Sequence, residues 1–434
     1  MESVLSKAVV ITFDRWHCGF LGCQGNPWVD TPRIDQLAVR ATLFDQHFAE
    51  NLSPESRQHA WWTGRFQFPL DVERQLREPT WLPWLTGQGV QSALLHDPAA
   101  KLPLRPELFS TARSVALDDV AGLHFERDVP RFVRSALSRI KQMGQAPESS
   151  ELFWIHAGGL PVDATSLAYE ELYGGDTPQP VPSEPNEDPA AEESAADFPP
   201  RFWRRKRSSP RELADARLHG SGWKSVEGGT TQVDWRRRRD LYSGQVTQWD
   251  AWLGRIFEAV EELRKQAPVL LIFTAAAGQH LGEHARLEPG TELFEEQIHV
   301  PLIVDLPLDE PYSGRRRALT QDVDLPATLL DWFDVTVPAG VTLDGHTLLP
   351  VIRDDQPLPR DTVFVGDSVH AGVRTADYYY RRQLDPAGLE PQEMIFVKPD
   401  DRWDADNSLR QYIHHADELN HKWQEFVTEV RVRT

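Results

Sequence analysis

Two cysteines, three methionines and no long apolar run are what this 434-residue chain has little of. Cys18 and Cys23 are too few for a disulfide framework or an all-cysteine zinc site. No window holds the roughly 18 consecutive apolar residues that a membrane-spanning helix needs. Positive charge is also scarce: Lys and Arg number 46 against 66 acidic residues, a formal net charge of −20. A surface of that sign argues against nucleic acid and anionic membrane as general partners. The opening MESVLSKAVVITFD carries a short apolar run that stops at Asp14, with no small-residue cleavage site behind it, so it does not read as a secretion signal. The expectation is a cytoplasmic protein without membrane contact.

Hydrophobic residues make up 40% of the chain, enough for a large core. The runs AVVITF, LFWIH, VLLIF, VPLIV and TVFVG read as buried parallel strands. TPRIDQLAVRATLFDQHF and DLYSGQVTQWDAWLGRIFEAVEELRKQ read as helices between them. Strands alternating with helices predict a doubly wound α/β domain with a mostly parallel sheet flanked by helices. After about Asp344 the texture changes. AGVRTADYYYRRQL and MIFVKPDDRW read as antiparallel strands, and SLRQYIHHADELNHKWQEFVTEV as a closing helix. The expected division is 1–344 for the α/β domain and 345–434 for a small α+β subdomain. Residues 176–200 are rich in Pro, Glu and Ala, the composition of a disordered acidic loop inside the large domain. The basic runs RFWRRKR at 201–207 and WRRRR at 235–239 read as a solvated face paired with that loop; the sharper alternative is an anion-binding patch.

Several motifs stand in a telling order. VVITFDRWHCGFLGCQG is followed by TPRIDQLAVRATLFDQHFA and SPESRQHAWWTGR; later come FTAAAGQHLGEH, FEEQIHVPLIV, DVDLPATLLDWFDV, LDGHTLLPVI and GVRTADYYYRR. The ordered set resembles the sulfatase family of the alkaline phosphatase superfamily, over most of the chain outside the acidic loop. That resemblance implies the doubly wound fold. In active members it also implies a formylglycine nucleophile made from Cys or Ser. A calcium ion is then held by an aspartate pair and by an Asp-His or Asp-Asn pair, and Lys and His side chains serve the sulfate.

Carried over position by position, that pattern is depleted here. Asp14 matches the first aspartate, but Arg15 stands at the second. The third ligand segment is Ala275, Ala276 and Ala277, so Ala276 and Ala277 occupy ligand positions. Calcium takes six to eight oxygen ligands, mostly from carboxylates, and alanine side chains supply none. In the nucleophile segment, counting from Arg57 puts Ser53 at the modified position with Glu55 replacing the proline. Counting from Pro54 puts Leu52 there, with Ser56 replacing the arginine. Pro161 falls at the catalytic histidine and Pro289 at the sulfate-binding lysine.

Other candidates weigh less. Ser53 as nucleophile needs a base, and His17 and His59 are the nearby choices. His280 and His284 lie four apart, a metal spacing on a helix, but the stretch reads as loop, which argues against zinc. Cys23 reads as packing. The candidate pocket is Asp14, Arg15, Ser53, Arg57, Ala276 and Ala277, with Arg15 or Arg57 expected to replace the cation beside Asp14. The leading function is a non-catalytic sulfatase-like protein that binds an anionic or sulfated ligand or a protein partner, with no cofactor. The alternatives are a sulfuric or phosphoric ester hydrolase with a rearranged site, for which calcium is the expected cofactor, and an assembly scaffold.

Overall fold

The computed structural model describes residues 5–53, 58–69, 78–100, 105–117, 129–158, 160, 173, 232–285, 292–307, 312–384 and 391–432. The acidic stretch 176–200, the run 201–207, residues 54–57 including Arg57, Pro161 and Pro289 lie outside the described residues. Twelve strands are described. Eight form the main sheet: β1 Lys7–Phe13, β2 Thr42–Phe48, β3 Gln91–His96, β4 Thr111–Ser114, β5 Glu151–Ala157, β6 Val269–Ala275, β7 Leu302–Asp305 and β8 Gly314–Gln321. Their order is β4-β3-β5-β1-β6-β7-β2-β8. All neighbours are parallel except β7, which runs antiparallel to β6 and β2.

β1 is at the centre and buried along its whole length. Its side chains alternate between two cores, because successive Cβ atoms point to opposite faces. Val9, Ile11 and Phe13 pack with Trp249, Leu253 and Ile256 of the helix Gln232–Arg264 and with Phe132 and Ile140 of the helix Arg131–Gln145. Ala8 and Val10 belong to the other layer, with Trp61, Trp62, Trp81, Leu325 and Leu329. A strand covered on both faces favours apolar residues on each, which is why AVVITF, with Thr12 its one polar side chain, shows no alternation. The helix Pro32–Arg40 starts with proline at its first turn, and Asp250 of the long helix accepts from the backbone N–H groups of Arg33 (3.1 Å) and Ile34 (2.8 Å).

The second sheet is antiparallel, order β12-β11-β10-β9, from β9 Val363–Gly366, β10 His370–Arg374, β11 Tyr378–Gln383 and β12 Glu393–Val397. The helix Ile413–Val432 covers it: Trp423 stacks on Phe68 and Phe426 on Phe364. Among the described residues no helix is long and apolar enough to cross a membrane.

Four expectations need correction. The helix expected through TPRIDQLAVRATLFDQHF stops at Arg40, and Thr42–Phe48 is strand β2. A β-branched residue and three large apolar ones there fill a slot between β7 and β8, and that packing overrides the helical spacing. VPLIV is a strand, but antiparallel to its neighbours, and TVFVG belongs to the small antiparallel sheet. Apolar runs do not encode strand direction. Finally, the run at 235–239 is no uniformly solvated face: Arg239 is buried and its Nε donates to the Leu281 carbonyl at 3.1 Å.

Candidate functional site

β1, β5 and β6 end at one level, with Phe13 paired to Ala157 on one side and to Ala275 on the other. The residues that follow therefore meet at the carboxyl edge of the sheet, where open α/β folds place ligands. The chain bends at Asp14. Backbone bonds then fix the neighbours: Ala276 N–H donates to Phe13 O (2.8 Å), Trp16 N–H to Ala277 O (2.8 Å) and Asp14 N–H to Ala157 O (3.2 Å). Asp14, Ala276 and Ala277 are thus side by side as the sequence implies, and all three are buried. The Ala276 methyl sits in the apolar cluster of Trp61, Ile272 and Leu302, and the Ala277 methyl in that of Phe48, Leu293 and Phe294.

Asp14 faces an imidazole. Its Oδ1 lies 2.8 Å from Nε2 of His156, at the end of β5. The other ring nitrogen, Nδ1, is 2.8 Å from Thr12 Oγ1, which accepts from Trp154 Nε1 at 2.9 Å. Thr12 Oγ1 also donates to the Ile155 carbonyl at 3.3 Å, and a proton on His156 Nε2 points at Asp14. Gln58, at the start of the helix His59–Thr63, brings its side-chain nitrogen to 3.3 Å from His156 Nε2. The residue that opens the helix His59–Thr63 therefore lies beside the same ring that faces Asp14. Ser53 N–H donates to Asn51 Oδ1 (2.8 Å), while the preceding Leu52 N–H donates to Gly366 O. Arg15 is half-buried just past the bend. Cys23 is held by its N–H to Asp35 Oδ1 (2.7 Å), and burial followed by the Asp35 charge pushes its thiol up, so it is unreactive.

The loop after β6 leads to a second group of residues. Gly278 N–H donates to Gln297 O (2.7 Å) and Gln279 N–H to Glu296 O (2.9 Å), zipping the loop onto the short helix Glu295–Ile298. A Cβ at position 278 would lie 1.8 Å from Glu296 O, so only glycine permits this approach. The zipper sets His280, Glu283 and Glu296 face to face, one ligand-type atom from each within 4.8 Å of the others. His280 Nδ1 is 2.7 Å from Glu296 Oε1, and His284 Nε2 is 3.6 Å from the same oxygen. His17 Nε2 is 3.5 Å from Glu283 Oε1. Burial alone would raise both glutamates; the His17 imidazole beside Glu283, and His280 and His284 beside Glu296, outweigh it and hold both carboxyls below their ordinary range. His284 has the left-handed φ of 49° and stacks on Phe294. Strain of that kind persists only where surroundings over-determine a residue.

A third set joins the small sheet to this edge. Lys398 Nζ lies 2.6 Å from Asp404 Oδ1 and 3.2 Å from Glu295 Oε2, and Glu295 Oε1 is 3.3 Å from His299 Nδ1. Glu295 is pulled down by Lys398 and its other cations despite its burial. His156, Gln58, Glu283 and Glu296 were not singled out from the sequence. Each becomes a site residue only through partners far along the chain, and Glu296 is visible there merely as half of the pair in FEEQIHVP.

A sequence model of the sulfatase family matches residues 178–335. A multifunctional alkaline phosphatase superfamily protein of Trinickia caryophylli is 27% identical over 364 residues, 81% of this chain and 61% of that protein. Arylsulfatase K of Gallus gallus is 27% identical over 199 residues, 42% of this chain and 36% of that protein. The chain thus aligns with less than two thirds of the length of these relatives. In fold, a phosphonate monoester hydrolase of Agrobacterium radiobacter matches with a TM-score of 0.67 at 20% identity, covering 98% of this chain and 95% of that one. A protein solved with its substrate D-glucosamine-2-N,6-O-disulfate matches at 0.68 and 17%, covering 98% of both chains. Residues 178–335 thus carry a match to the sulfatase family, and the chain shares the fold of these solved structures.

Proposed function

We propose that this chain is a non-catalytic sulfatase homologue that binds an anionic ligand, of the sulfated class its relatives act on, without turning it over. Sulfatases usually work with a calcium or magnesium ion. The positions the resemblance assigns to that ion hold one carboxylate, one guanidinium and two methyl groups, at Asp14, Arg15, Ala276 and Ala277. This donor set does not fit a hard divalent cation, which needs several oxygens. The observation that carries the proposal is the Asp14–His156 contact. An imidazole stands at the carboxylate that would face the ion, and the two alanine methyls are absorbed into apolar clusters. What this chain's own residues supply at the sheet edge is Arg15 as a positive charge and backbone held rigid by the Ala276 and Trp16 hydrogen bonds.

The test is turnover of an aryl sulfate and of a phosphonate monoester by the purified full chain, with millimolar calcium or with a chelator. No activity above that of Asp14→Asn is expected in either condition. Calcium-dependent turnover that Asp14→Asn abolishes would overturn the proposal and establish a hydrolase with a rearranged site.

A further inference from the structure

We propose that His280, Glu283 and Glu296 form a buried site for a divalent transition-metal ion of the zinc class, separate from the positions at which the resemblance places calcium. All three are fully enclosed, at 2%, 1% and 0% exposure. His280 Nδ1 and Nε2, Glu283 Oε1 and both Glu296 oxygens have no hydrogen bond. Buried polar atoms are nearly always hydrogen-bonded, and leaving several unsatisfied at one spot is costly. The 2.7 Å approach of His280 Nδ1 to Glu296 Oε1 is close without the direction of a hydrogen bond. Two lone-pair donors converging in that way are the arrangement a shared cation produces.

Three protein ligand atoms converge, one imidazole nitrogen and one oxygen each from Glu283 and Glu296; the second Glu296 oxygen, also without a hydrogen bond, or a water would supply the fourth that zinc takes. Nitrogen mixed with carboxylate oxygen suits zinc and its first-row neighbours over calcium. Two carboxylates and one divalent ion sum to zero, which removes the penalty of burying the charges singly.

The surroundings serve as outer supports. His17 Nδ1 accepts from Gly19 N–H at 3.0 Å, so in the neutral ring the proton sits on Nε2 and faces Glu283 Oε1. Glu283 Oε2 accepts from Leu281 N–H. His284 Nε2 is 3.1 Å from the Trp403 carbonyl, which directs its proton there. Ligands fixed from behind by such partners are the rule in metal sites. Arg239, whose Nε holds the Leu281 carbonyl, closes the side next to Glu283.

The test uses the full chain stripped with a chelator, dialysed, and titrated with zinc, then with cobalt(II) as a spectroscopic stand-in. About one equivalent per chain is expected, with visible cobalt absorption of nitrogen–oxygen ligation and a rise in melting temperature on zinc addition. His280→Asn and Glu296→Gln should each lose the ion, while Asp14→Asn keeps it. Failure of the unsubstituted chain to bind zinc or cobalt would overturn the proposal, leaving the cluster neutralised by imidazole protons. Retention of the full equivalent by folded His280→Asn and Glu296→Gln would overturn it as well. A loss of binding confined to Asp14→Asn would overturn both this site and the non-catalytic proposal; catalytic turnover with zinc still bound at His280 would overturn only the latter.

Discussion

The loop that leaves β6 holds two regions a few residues apart, and they contrast. At Ala276 and Ala277 the side chains are methyls in apolar clusters, beside the carboxylate of Asp14 with His156 at its Oδ1. At His280 and Glu283 the same loop gathers buried carboxylates and imidazoles around Glu296. The backbone frame is shared, from the Trp16–Ala277 bond through the Gly278 zipper. In both regions the buried carboxylates face imidazoles. Beside the two methyls, Asp14 faces the His156 imidazole; around Glu283 and Glu296 stand His17, His280 and His284.

The sharpest way to break this contrast is to remove one acid from the second region. Glu296→Ala strips His280 and His284 of the carboxylate they face. Deleting one partner of a buried charged cluster typically costs about 3–5 kcal/mol, and a chemical-denaturation loss of that order is expected. A loss below about 1 kcal/mol, the scale of an exposed pair, would mean that the cluster contributes nothing to the fold. Asp14→Ala should cost less, on the order of 1–3 kcal/mol, because it leaves one imidazole N–H unsatisfied. Asp14→Asn keeps an acceptor for His156 and should stay within about 1 kcal/mol of the parent. If the asparagine variant falls as far as the alanine one, the carboxylate charge itself has an unrecognised counterpart.

A third region sharpens the comparison at smaller scale. Glu50 and Asp322 are buried carboxyls whose neighbours are N–H donors: Gln67 and Phe68 to Glu50 at 2.7 and 2.6 Å, Glu50 N–H and Trp61 Nε1 to Asp322 at 3.0 Å each. Burial raises Glu50 from 4.5 to about 8 and Asp322 from 3.8 to about 7, the opposite direction to Glu283 and Glu296. A folded pKa above the unfolded one means the native state holds protons that the unfolded chain has released. The stabilising contribution is therefore full below the unfolded values and is lost as pH rises through about 7 and then about 8. Melting temperature should fall between pH 5 and 8.5, and Glu50→Gln should flatten that slope. An unchanged slope would remove Glu50 from the account.

Much of the fold was legible because its signals are local. β1, β5 and β6 are buried at every position and apolar along their middles since both faces are covered, and the closing helix shows its apolar face at Ala416, Leu419, Trp423 and Phe426. β2 was not legible, because Ile34, Leu37 and Ala41 continue a helical spacing into residues that only tertiary pairing makes extended. β8, GRRRALTQ, hides as an edge strand with exposed arginines at its start. That Asp14, Ala276 and Ala277 are neighbours could be read one residue at a time, since each sits inside a recognisable motif. The partner of Asp14 could not, as His156 lies 142 residues away. Likewise the spacing of His280 and His284 misleads, because the ligand-type neighbours of His280 are Glu283 and Glu296, joined by a glycine zipper rather than by helical periodicity.

Metal content measured by mass spectrometry, after the stripped full chain is dialysed against equal micromolar calcium and zinc, tests the contrast most directly. About one zinc per chain and no calcium above background are expected, with Asp14→Asn identical to the parent. Bound calcium that disappears in Asp14→Asn would contradict the contrast, since the strand-end positions would then still hold a hard cation.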